Sequence, residues 1–153
     1  MTSSFLTTSR SFPVARPGDL ETVLTQSYIE TSLCINAKEN GGYELQETIS
    51  GQQFFTPGSL QKRFVYRKCF VIGAIATGAA VAIAHGITPL TFFTCIRGTV
   101  ATDSPDWRPI PYAGGAGLDF VSLRADAANI HILNGAGMPN ILSGIVILEY
   151  FKS

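Results

Sequence analysis

The sequence predicts an all-β fold: an antiparallel β-sandwich, jelly-roll-like, preceded by an N-terminal α-helix and an extended N-terminal tail. Three observations point there. From Lys62 onward, short apolar segments with period-two alternation are separated by turn signals. The chain carries 15 glycines and 8 prolines in 153 residues, a turn-rich composition. No long helical pattern follows Ala37.

The elements follow in order. Residues Met1 to Gly18 are rich in Ser and Thr, with Pro13 and Pro17, and read as an extended tail. Asp19 can cap a helix running to about Ala37, with Leu20, Leu24, Tyr28 and Ile35 roughly on one face. Such a helix is marginal alone, so it packs either in a dimeric or trimeric bundle or on its own β domain. Asn40-Gly41-Gly42 ends it, and a connector follows with Tyr43, Leu45, Ile49, Phe54 and Phe55 as anchors. The expected division is therefore 1–61 for tail, helix and connector, and 62–153 for the β domain.

Within the β domain the expected strands are Lys62–Ile75, Ala79–Ala84, Leu90–Ala101, Arg108–Tyr112, Leu118–Ala125, Asn129–Leu133 and Ser143–Phe151. Segments such as HGITP, TDSPDW, AGGAG, ADAAN and NGAGMPN separate them. Val81 and Ile83 share one strand face, and Ala80, Ala82 and Ala84 the other, which suggests a face that another layer approaches closely. The last strand is nearly all apolar, as a central strand buried on both sides would be.

The charge-free stretch from Cys69 to Ile96 admits a competing reading as a membrane span. Gly73, Gly78, Gly86 and Pro89 interrupt it, and a transmembrane helix needs about 20 apolar residues. Strands account for it better. Charged residues are 14% of the chain and the net charge is zero, so nothing in the charge balance marks a nucleic-acid or anionic-membrane partner. So much apolar sequence with so few charges implies burial between subunits. Cys34, Cys69 and Cys95 are odd in number and lack metal-ligand spacing. The N-terminus has no continuous apolar segment of the secretory kind.

No catalytic constellation emerges, and neither an enzymatic activity, a metal nor a cofactor is expected. His85 precedes a turn glycine and reads as a local hydrogen-bonding residue, while His131 alternates with Ile130 and Ile132 as an exposed or interface position. Asp103, Asp106, Asp119 and Asp126 match no EF-hand loop. Gly114 to Gly117 lacks the Gly-Lys-Ser/Thr ending of a phosphate loop and reads as a hairpin connection. Arg97, and Arg124 with Asp126, are placed either to pair across subunits or to face water. The loop residues Asp103, Asp106, Trp107, Arg108 and Tyr112 form the candidate interface or receptor-facing surface, since aromatics and arginine are enriched at interfaces. Trp107 serves equally well as a plug at the end of the sandwich.

The series Ala84-His85-Gly86-Ile87-Thr88, Arg97-Gly98-Thr99, Ala101-Thr102-Asp103, Pro109-Ile110-Pro111-Tyr112, Arg124 to Ile130 and Leu148-Glu149-Tyr150 resembles the small β-sandwich head module of tailed-phage virion appendages. The likeness covers about residues 62 to 153, and its motifs carry no chemistry. It implies a homotrimeric head/tail fibre or capsid decoration protein, assembled in the host cytoplasm and resident in the virion. The N-terminal segment would bind other capsid or tail proteins, and distal loops would meet a host-surface glycan or receptor. The chain departs from a long fibre in having no repetitive shaft. Two other readings stand beside it: a carbohydrate-binding module stacking sugars on Trp107 and Tyr112, and a small single-span membrane protein.

Overall fold

The computed structural model describes residues 22–31, 41–115 and 117–152. The chain divides into two compact units, Met1–Lys38 and Glu39–Ser153. In the first, residues 22–31 are helical, inside the expected helix, and Leu24 and Tyr28 are exposed on it. Leu20, Ile35, the capping Asp19 and Cys34 lie outside the described residues.

The second unit is a sandwich of two antiparallel sheets, the fold class expected. Its strands are β1 (Thr48–Phe55), β2 (Lys62–Ile72), β3 (Ala80–Ala84), β4 (Phe92–Thr102), β5 (Trp107–Ile110), β6 (Tyr112–Ala113), β7 (Phe120–Ala125), β8 (Asn129–Asn134) and β9 (Ile141–Phe151). One sheet has the order β1-β2-β9-β4-β5 and the other β3-β8-β7-β6. Late strands thus lie between early ones, and β9 is central, between β2 and β4. The stretch Cys69 to Ile96 is spread over β2, β3 and β4. No helix among the described residues is long and apolar enough to cross a membrane.

Alternation sends one face of each strand inward. Ile72, Val100, Val146, Leu148 and Tyr150 from the five-stranded sheet meet Val121, Ile130 and Ile132 from the four-stranded one. Burying each such side chain contributes about 1.5–3 kcal/mol. Toward the C-terminal end of β9 the core is aromatic. Tyr150 stacks on Tyr66 at 6.2 Å and meets the edge of Phe93, which in turn contacts His85 at 5.7 Å.

The structure departs from the sequence expectation at four places. The connector contains a strand, β1, so the compact unit starts at Glu39 rather than near Lys62. Its sequence TISGQQFF lacks alternation because a bulge at Ser50–Gln52 breaks the register, with Gly51 at φ 81°. Next, β2 stops at Ile72, and Ile75 makes a single bridge to Ile141. Finally, the expected strand Arg108–Tyr112 is two strands in different sheets, joined through Pro111, which has no amide to donate to a ladder. The alanines Ala80, Ala82 and Ala84 are exposed rather than closely covered, while Val81 and Ile83 pack on the core.

Candidate functional site

The side chains on the outer face of the five-stranded sheet follow from strand register. Four rows cross it: Arg67–Glu149–Cys95, then Cys69–Ile147–Arg97, then Val71–Ile145–Thr99–Pro109, then Ser143–Ala101–Trp107. The first row and Cys69 are largely covered, Ile147 is half-buried, and Arg97 and most of the last two rows are exposed.

Cover comes from the chain just before β1. The Cys69 amide donates to the Glu44 carbonyl at 2.8 Å, holding this segment along the edge of β2. The Tyr43 ring then lies over the Arg67 guanidinium at 4.4 Å, and its hydroxyl accepts from Arg97 Nη2 at 3.2 Å. Beneath it, Arg67 Nε donates to Glu149 Oε1 at 2.8 Å and Nη2 lies 2.7 Å from the same oxygen. The two side chains are only 1% and 5% exposed. Two opposite charges at this depth need each other, because either alone would be a desolvated ion. Burial pushes the neighbouring Cys69 thiol above its ordinary pKa, so it behaves as an apolar side chain.

The open half is largely apolar, with Thr99 and Ser143 as its polar side chains. Val71 is 61% exposed, Ile145 51% and Trp107 77%. With Leu45 and Ile147 the first two border a groove of about 490 Å³ whose one charged lining residue is Arg97. Nothing in this groove offers a nucleophile beside a base. It offers contact area.

The loop residues singled out from the sequence are divided by the structure. Arg108 Nε donates to Asp106 at 2.9 Å and Nη1 to Asp119 at 3.0 Å, with its guanidinium over the Tyr112 ring at 4.9 Å. The Thr102 hydroxyl also bonds Asp106. Asn140 Nδ2 donates to Asp103 at 2.7 Å, and Asn140 Oδ1 accepts from the Thr77 amide at 3.0 Å. Asp103, Asp106, Arg108 and Tyr112 therefore tie loops of this chain together, and Trp107, 77% exposed, presents most of its side chain outward. Trp107 belongs to the five-stranded sheet and Tyr112 to the four-stranded one, so strand pairing does not join them in a common stacking platform.

Both histidines are engaged. His85 is buried; its Nδ1 accepts from the Ile87 amide at 3.1 Å, which leaves Nε2–H to donate to the Asp126 carbonyl at 3.1 Å. That pairing selects the neutral Nε2–H tautomer. His131 Nε2 lies 2.6 Å from Asp126 Oδ2, so Asp126 pairs with His131 rather than with Arg124. Among the described residues no group of three or more His, Cys, Asp or Glu is arranged to hold a metal ion.

Three carboxyls are held below their ordinary values. For Asp126 the cause is first the Ala128 and Asn129 amides, then His131. For Asp106 it is the Thr102 hydroxyl, then Arg108. At Glu47 burial acts upward, and bonds from Lys152 and Tyr150 outweigh it. As the pH falls, the unfolded chain takes up these protons first. The stability they contribute is complete above about pH 5 and is lost as the pH falls below about 4. Thermal melting followed by circular dichroism should show Tm falling across that interval, and an unchanged Tm down to about pH 3 would refute the pairing.

The open rows arise from register between strands distant in the chain, and the apolar run of β9, expected to be buried on both sides, hides that its outer face is exposed at Ile145. No protein-family model, curated protein or solved structure matches this chain.

Proposed function

We propose that this protein is a structural subunit of a tailed-phage virion, a short capsid or tail appendage that associates as a homotrimer. The observation that supports association is the open, largely apolar half of the five-stranded sheet, with Val71, Ile145 and Trp107 exposed; the virion role and the trimer rest on the resemblance of residues 62 to 153 to such modules. A second copy of this chain is the occupant that fits. Among the described residues no carboxylate lines the groove, and the one guanidinium that does is hydrogen-bonded to Tyr43. Interface cores are likewise depleted in charge and enriched in aromatic residues. With zero net charge, copies do not repel one another. The exposed Leu24 and Tyr28 of the N-terminal helix, one turn apart, supply a second apolar strip for association or for anchoring to other virion proteins.

Light scattering on the purified protein should give a mass three times 16.4 kDa. Ile145→Lys should give a monomer with an unchanged circular dichroism spectrum, because a charge would be buried at the contact. A native monomer or dimer would refute the trimer, and a trimeric Ile145→Lys protein would remove this face from it.

A further inference from the structure

The outer face of the four-stranded sheet has a different chemistry. The alternation Ala-Val-Ala-Ile-Ala along β3 spends its large side chains on the core and leaves Ala80 and Ala82 on the surface. Strand register then sets Ala82, His131 and Arg124 in one row, and Ala80, Leu133 and Ser122 in the next. These six residues line a depression of about 360 Å³. Its floor is low because the alanines have nothing beyond Cβ, and its polar groups are one guanidinium, one imidazole and one hydroxyl.

The imidazole is held in place. Asp126 Oδ1 accepts the Ala128 and Asn129 amides at 2.8 Å each, which fixes the carboxylate, and Oδ2 takes His131 Nε2 at 2.6 Å. That bond occupies one ring nitrogen and leaves Nδ1 as the second hydrogen-bonding atom of the ring. Arg124 is the cross-strand neighbour of His131, is exposed, and has no carboxylate partner among the described residues. An oxyanion beside them takes a charge-assisted hydrogen bond from Arg124, whose guanidinium suits carboxylate and phosphate geometry in particular. The alanine floor beside them accommodates a carbon skeleton rather than a bare ion.

We propose that this depression binds an acidic saccharide, its carboxylate or phosphate held by Arg124 and His131, its ring over Ala80 and Ala82, and a hydroxyl at Ser122. The site goes beyond the structural role proposed above and uses the sheet opposite the proposed contact, so each stands or falls alone.

The test is an NMR titration of the full chain with glucuronate, glucose 6-phosphate, glucose and inorganic phosphate. The imidazole carbon signals provide the readout, because the chain has two histidines and the buried His85 serves as internal reference. The expected result is movement of the His131 signal with an acidic sugar and not with glucose, weakened at higher salt. Arg124→Gln should reduce the affinity about tenfold or more, the scale of a lost hydrogen bond to a charged group. Response to glucuronate alone would assign a carboxylate, and to glucose 6-phosphate alone a phosphate ester; either supports the site. No movement of His131, equal movement with glucose, equal affinity for inorganic phosphate, or unchanged affinity in Arg124→Gln would each overturn it.

Discussion

Glu149→Ala is expected to lower the unfolding free energy by about 3–5 kcal/mol, the range found when one partner of a buried ion pair is removed. The Arg67 side chain is 1% exposed and lies at the middle of the sheet, with Tyr43 above it. Deleting the carboxylate removes the Glu149 charge from a guanidinium that is almost wholly desolvated. Urea unfolding monitored by circular dichroism reads the change directly. The double replacement Arg67→Met with Glu149→Leu should recover most of the loss, since a buried pair can be exchanged for apolar side chains at little cost. A single-variant loss below about 1 kcal/mol would mean that the pair behaves as a surface one.

Gly98→Ala is expected to cost about 1–3 kcal/mol, the scale of overpacking in a dense core. Gly98 sits in β4 opposite Val146 of β9 and Ile110 of β5. A Cβ there would overlap the Ile145 carbonyl oxygen and would stand 2.9 Å from Ile110 Cγ1. The first neighbour is backbone and the second is a core side chain only 2% exposed, so neither yields freely. The same substitution at Gly73, whose surroundings are open, is the control and should change the urea midpoint little. Equal midpoints for the two variants would refute the close approach.

Much of the sandwich was legible because its signals are local. Ala-Val-Ala-Ile-Ala in β3 and the apolar run of β9 carry strand character in a few consecutive residues, but not the burial of both faces, since Ala80, Ala82, Ala84 and Ile145 are exposed. Turn segments such as HGITP mark where a strand must end. The strand β1 escaped this reading because its bulge spoils the alternation, and the Arg108–Tyr112 segment was read as one strand because its passage between sheets at Pro111 leaves no mark in hydropathy. The candidate loop surface was legible as residues but not as geometry. Arg108 reads as an interface arginine until Asp106 and Asp119 are seen on either side of it.

The sequence by itself determined the all-β class, most strand positions and the central place of β9, since those depend on side-chain period and composition within short windows. The tertiary structure alone decided which faces are covered. Arg67 and Glu149 are 82 residues apart, as opposite charges ordinary for a surface, and become a buried pair only through β2–β9 register and the fold of Tyr43 over them. Val71, Ile145 and Trp107 come from three strands, and Arg124, His131 and Ala82 from three others. Alternation says that a residue points to one side of a sheet. What lies on that side is set by pairing between distant segments, which no local window contains.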